Sequence, residues 1–205
     1  MRATRQLSPL RRKVRAQVSG SILDAVEAVA LEAGLGGITV HAVAERAGVA
    51  VGTLYNYFPD TDAMLTALFR ARRDAIVPRI AAAIDASKQL AFEPRLRDFV
   101  HQLLSIYEGE DRFLRVSVLV DRDGSKSKPR DTALMCQTIE ALEQIMRAGA
   151  REKLLPARRA PIYARMMHGA LRSMFLWQLC ARGQARGDEQ LLVVETFLRG
   201  VLPIH

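Results

Sequence analysis

Apolar residues recur along this chain at helical rather than strand spacing. Val14, Val18, Ile22, Ala25 and Val29 share one face of a first helix, and Gly34 stands where that helix would end. The one short β-branched run, VSVLV at 116–120, lies within a helical context. The pattern predicts an all-α protein. Thr39 is placed to N-cap a second, short helix reaching Ala47, and a third covers about 51–57. Pro59 and Asp60 end the third helix and start a fourth over about 61–76, which stops before Pro78. Further helices are expected over about 79–89, 94–107, 111–120, 132–152, 161–181 and 189–201. The clearest loop is DRDGSKSKPRD at 121–131, and ARGQARGD marks a turn before the last helix.

The third helix is the anomaly. VGTLYNYF is too short to be stable alone in water, and it places Thr53, Tyr55, Asn56 and Tyr57 where a core helix would use leucines. Its surroundings explain it as the second half of a helix-turn-helix. Two helices that cross steeply need a small residue at closest approach, supplied by Ala44. They also need a turn residue tolerant of the left-handed region, supplied by Gly48. Val43, Ala47, Val49, Leu54 and Tyr57 are spaced to fill the angle between them. Val51, Gly52, Thr53, Tyr55 and Asn56 then face outward, where such a motif meets the DNA major groove. Gly52 permits close approach, Thr53 and Asn56 can bond base edges or phosphates, and Tyr55 can donate to a phosphate. Thr39 combines a capping hydroxyl with a helix N-terminus suited to a phosphate. The plainer alternative is that Thr39 only caps and Tyr55 only packs on the first helix.

Charge adds an anionic partner to this picture. The 205 residues carry a formal net charge of +8, which favours nucleic acid or, second, a membrane surface. No acid precedes Asp24, whereas Arg2, Arg5, Arg11, Arg12, Lys13 and Arg15 accumulate there. With Ser8 and Pro9 among them, these residues read as a loose, solvated arm with affinity for phosphates, Arg11, Arg12 and Lys13 being its candidate contacts. No apolar run approaches the ~20 residues of a membrane span, and the arginines are not followed by the apolar segment of a secretory signal. Cys136 and Cys180 sit in partly apolar helical runs, as two buried thiols of a cytoplasmic protein would. The four histidines, two distant cysteines and scattered carboxylates form no metal-ligand spacing, nucleophile–base pair or phosphate loop. The expectation is a non-enzyme without metal or cofactor.

At this point the chain resembles the tetracycline-repressor (TetR) family of bacterial transcription regulators. The resemblance is carried by Gly37-Ile38-Thr39-Val40, Ala44, Ala47-Gly48-Val49, Gly52-Thr53-Leu54-Tyr55, Tyr57-Phe58 and Met64-Leu65, within the first quarter to third of the chain. It implies a DNA-binding domain of a homodimer that binds a double-stranded operator, followed by variable helices that bind a small-molecule inducer. The chain departs from the family pattern at Ala50, where many relatives have Ser, and at Val51, where many have a polar residue. Ala50 removes a side-chain cap, and Val51 can touch a thymine methyl instead. Where relatives often carry Lys after the Tyr-Phe pair, this chain has Pro59-Asp60-Thr61-Asp62; by resemblance Thr61 replaces that phosphate contact weakly.

The expected organisation is an arm and helix-turn-helix over 1–58, a linking helix over 59–78, and a helical ligand-binding and dimerisation domain over 79–205. No motif beyond Arg79 identifies chemistry. The helix from Pro161 is apolar on several sides, with Ile162, Met166, Ala170, Met174 and Trp177 on one and Met167, Leu171 and Leu179 on another. It therefore needs two partners, the domain core and a second subunit. The helix from Thr132, through Leu134, Leu142 and Ile145, is the expected second member of the dimer interface. Candidate inducer contacts are His101, Tyr107, Met166, His168 and Trp177, with Gln178 a further polar group, although core or interface roles would account for each. A helical dimeric scaffold or sensor with a weakened DNA-binding motif, and a nonspecific basic DNA-binding protein, are the alternatives to an inducer-released repressor.

Overall fold

The structure, a computed structural model, describes residues 8–124, 132–180 and 187–201. Among them the regular elements are α-helices and two short 3-10 turns, at Leu35–Gly37 and Ala157–Arg159. The helices are α1 (Pro9–Ala33), α2 (Val40–Ala47), α3 (Val51–Tyr55), α4 (Thr61–Ala86), α5 (Phe92–Glu108), α6 (Asp111–Asp123), α7 (Thr132–Arg151), α8 (Ala160–Cys180) and α9 (Gly187–Val201). The chain divides into two compact units, Met1–Ala71 with Arg115–Arg130, and Arg72–Leu114 with Asp131–His205. Both α4 and α6 contribute residues to each unit.

In the first unit α1 packs on α2, and α2 on α3. Burial along α1 begins at Ile22 and continues through Ala30, with Glu27 also buried. The three turns before Ile22 are exposed or half-buried, Val14 included. Pro9–Arg15 is helix, with Ser8 its N-cap, rather than the loose arm expected of it. The Ser8 hydroxyl accepts the Arg11 N–H at 3.4 Å, and Pro9, lacking an N–H, occupies the first turn, where none is needed. Residues 1–7, with Arg2 and Arg5, lie outside the described residues.

In the second unit α5 packs on α7 and α9, α7 on α8, and α8 on α9. Phe92, Leu96, Phe99 and Leu103 of α5 and Leu142 and Ile145 of α7 are essentially inaccessible. This corrects two expectations for α7. Leu134, Leu142 and Ile145 are buried within the chain and are not free to face another subunit. Cys136, expected to be buried, is exposed as a free thiol on the outer side of α7; the side chain of Cys180 lies outside the described residues.

The fourth helix does not stop at Pro78 but continues to Ala86. Proline removes one N–H and crowds the carbonyl four residues back. Here its ring is exposed, while Ile76, Ile80, Ala83 and Ile84 are buried on either side of it and anchor both halves. The loop expected at 121–131 starts late, since α6 runs to Asp123, and its remainder (125–131) is outside the described residues.

Candidate nucleic-acid interface

The geometry of α2 and α3 follows from a few local bonds. Thr39 caps α2, its Oγ1 accepting the Ala42 N–H at 3.1 Å. At the other end Gly48 adopts φ 67° and ψ 31°, the left-handed region. Its N–H donates to the Glu45 carbonyl and the Val49 N–H donates to the Ala44 carbonyl, closing the helix in a Schellman turn. Val43, Ala44 and Leu54 fill the angle between the helices with at most 2% exposure, Phe58 is also buried, and Ala47, Val49 and Tyr57 are half-buried. Ala50 precedes α3 without any side-chain cap. On the far side Asp60 accepts the Ala63 N–H at 2.7 Å and starts α4.

What remains outward is a polar surface. Gly52, Tyr55 and Asn56 are exposed, Tyr55 by 54%, whereas Val51 and Thr53 are half-buried. A Cβ at Gly52 would meet no atom within 4 Å, so the glycine is not required by packing. Thr39 is exposed beside α2, and Thr61 is half-buried at the first turn of α4. Arg11, Arg12 and Lys13 are exposed on the first turns of α1. Arg46, a further cation of α2, is exposed and ion-paired with Glu32 of α1.

Between the start of α1 and α3 lies an open cleft of about 680 Å³, lined by Leu10, Arg11, Val14, Arg15, Thr53, Asn56 and Tyr57. Arg15 spans it: its Nη2 donates to the Asn56 carbonyl at 3.3 Å, and its guanidinium lies over the Tyr57 ring, 5.1 Å from the centroid. Sequence reasoning passed over Arg15 because nothing local separates it from Arg11, Arg12 and Lys13; the contact joins residues about forty positions apart.

The candidate ligand residues of the second unit do not converge. His101 is exposed on α5. Tyr107 is half-buried, its hydroxyl 3.2 Å from Thr138 Oγ1 and its ring 5.5 Å from that of Phe175. Thr138 gives its own proton to the Leu134 carbonyl at 3.0 Å, so Tyr107 is the donor between them. His168 is half-buried; burial first, and the Arg172 charge second, push its pKa below the ordinary value. Met166 lines an apolar groove of about 390 Å³ with Met167, Ala170 and Met174 of α8 and Leu192, Val193, Thr196 and Phe197 of α9. Ile162, Met166, Trp177 and Leu192 are each more than half exposed on these two helices. The part played by α9 was missed because its apolar face shows its use only beside that of α8. Gln178 has no described side chain. Among the described residues no cluster of His, Cys, Asp or Glu could hold a metal ion, and no helix is long and apolar enough to cross a membrane.

Comparison with known proteins bears on both units. Residues 22–68 match the family model described as bacterial regulatory proteins, tetR family. Over 65 residues the chain is 49% identical to the HTH-type transcriptional repressor KstR of Mycolicibacterium smegmatis, a match covering 30% of this chain and 32% of that protein. The KstR of Mycobacterium tuberculosis is 48% identical over 65 residues, 30% of each chain. The chain thus spans about a third of the length of these curated relatives. Solved structures resemble it over nearly its full length. A transcriptional regulator from Rhodococcus sp. Rha1 has a TM-score of 0.70 at 18% identity, over 89% of this chain and 95% of that one. The fatty acid degradation regulator FadR from Bacillus halodurans has a TM-score of 0.67 at 20% identity, over 90% and 99%. SmeT, the repressor of a Stenotrophomonas maltophilia multidrug efflux pump, has a TM-score of 0.69 at 18% identity, over 90% of each. At these identities the likeness establishes the all-α fold.

Proposed function

We propose that this chain, whose residues 22–68 match the family model of bacterial regulatory proteins, tetR family, is a ligand-responsive transcriptional regulator of that family acting as a homodimeric repressor in the cytoplasm, and not an enzyme. One observation carries the reading. The Schellman turn at Gly48 sets α3 against α2 so that Leu54 is wholly buried while the side chains of Tyr55 and Asn56 and the bare backbone of Gly52 are exposed. A short helix that keeps its polar side free in this way is built to be read against a major groove. Arg11, Arg12 and Lys13 supply phosphate affinity, as do Thr39 and Thr61 at helix starts.

The second copy is proposed to seat on α8 and α9, whose exposed Ile162, Met166, Trp177 and Leu192 flank an apolar groove. Two-fold pairing there presents two recognition helices to a near-palindrome. The inducer is proposed to bind within the second unit, where of the five candidates only Tyr107 and His168 are half-buried and away from the exposed α8–α9 face. It acts by favouring the state that does not bind DNA, through α4 and α6, which belong to both units.

The test is selection of bound fragments from random and genomic DNA by the purified protein at two salt concentrations. Enrichment of an inverted repeat that survives the higher salt is the expected result. Binding without an enriched sequence, lost as salt rises, would reduce the protein to a nonspecific basic binder. On the enriched duplex, Tyr55→Phe is expected to weaken binding several-fold with folding unchanged, reflecting one lost phosphate hydrogen bond; equal affinity would remove Tyr55 from the contacts.

A further inference from the structure

The first three turns of α1, residues 9–21, have little packing to hold them: each residue there is exposed or half-buried, and burial starts only at Ile22. The helix nevertheless carries the cationic cluster beside a recognition helix of only five residues. At five residues α3 is too short to be stable alone, and the first turns of α1 lack the packing that holds the rest of that helix. Across the cleft between them, Arg15 reaches the Asn56 carbonyl and stacks on the half-buried Tyr57 ring. Asn56 is the C-terminal cap of α3, where carbonyls lack helical partners and a cation is favoured by the helix dipole. One side chain thus satisfies an end of α3 while it fixes the free end of α1.

We propose that Arg15 is a positioning residue for operator selectivity. Rather than neutralising a phosphate like its neighbours Arg11, Arg12 and Lys13, it clamps α3 to α1 and so sets the register between the base-reading helix and the phosphate-binding turns. Sequence-specific binding needs that register, whereas nonspecific binding through charge does not. The planar guanidinium matters because it can stack on the ring and donate sideways at once; a lysine ammonium keeps the charge without the fork. This inference rests on the DNA-binding reading above.

The experiment compares wild type, Arg15→Lys and Arg15→Gln on two duplexes, the inverted repeat enriched by the wild-type protein and a scrambled duplex of equal composition, across a salt series. Hydrogen exchange of the DNA-free proteins is followed at the Asn56, Tyr57 and Phe58 amides, which bond back into α3. Arg15→Lys is expected to lose roughly tenfold in operator affinity, with scrambled-duplex affinity and salt slope retained. Exchange at the three amides should be faster in both variants. A different pattern overturns the proposal: Arg15→Lys equal to wild type, with Arg15→Gln losing affinity for both duplexes alike and its salt slope falling by about one, the mark of a phosphate contact. Unchanged exchange also overturns it, because the clamp would then hold nothing. If the wild type enriches no sequence, the DNA-reading premise fails instead and the selectivity role falls with it, while the exchange data still report whether Arg15 holds α3.

Discussion

Two helices of this protein end in the same turn made with different residues. At the end of α2, Gly48 takes the left-handed position, and at the end of α7 Lys153 takes it with φ 62°. The hydrogen bonds correspond: Val49 to Ala44 and Gly48 to Glu45 in the first unit, Leu154 to Gly149 and Lys153 to Ala150 in the second. Glycine enters this conformation freely, whereas a side chain costs about 1–2 kcal/mol there. The turn after α2 is therefore locally preferred, and the turn after α7 is held by its surroundings. Leu155 beyond it is buried, and the Glu152 carboxylate accepts the Phe92 N–H at 3.0 and 3.1 Å, capping α5 from sixty residues away. Gly149 lies flat against the inaccessible Phe92 ring. One region is shaped by its own sequence neighbours, the other by contacts between distant helices.

Substitutions can break this contrast. The largest effect is expected at the α5–α7 contact, where a Cβ on Gly149 would come within 2.6 Å of the buried Phe92 ring. Gly149→Val should cost roughly 3 kcal/mol by overpacking, measured by denaturant unfolding; a cost near zero would show that the ring is free to shift. Gly48→Ala has open space for its methyl, so its loss of about 1–2 kcal/mol should come from backbone strain alone. Lys153→Gly should move stability the other way, gaining up to about 1 kcal/mol, because the relieved strain exceeds the added freedom of the unfolded chain. If Gly48→Ala and Lys153→Gly both proved neutral, the two turns would not differ in strain.

The smallest effect is a pH dependence located in the second unit. His168 has a folded pKa below its unfolded value, from burial first and Arg172 second. Its contribution is therefore full above the unfolded pKa of about 6.5 and declines as pH falls below it, because the unfolded chain binds the proton more readily. Unfolding measured between pH 7 and 5 should show stability decreasing, with a shallower decline in His168→Gln. An equal decline in both would place the titrating group elsewhere.

Legibility in the sequence followed the range of the interaction. Thr39, Asp60 and Gly48 act on backbone groups within a few residues, and each stands where its residue type predicted. Leu54 inside and Tyr55 outside were readable for the same reason, since helical periodicity separates adjacent side chains. Pro78 misled because the cost of a proline is local, whereas the burial of Ile76, Ile80 and Ile84 that outweighs it is not. Cys136 misled because a partly apolar run does not say which side of the helix is covered. Arg15 was hidden among cations of equal local character.

By itself, then, the sequence determined the all-α class, the ends of α2 and the start of α4, and the helix-turn-helix that identifies the first unit. Each depends on backbone stereochemistry and hydrogen bonds spanning three to five residues. Tertiary structure decided that α4 runs through Pro78, that Glu152 caps α5, that α7 is consumed by the core while α8 and α9 keep an apolar face exposed, and that Arg15 joins Tyr57. These outcomes depend on which distant surfaces meet, and burial is a property of the pair of surfaces rather than of either segment alone.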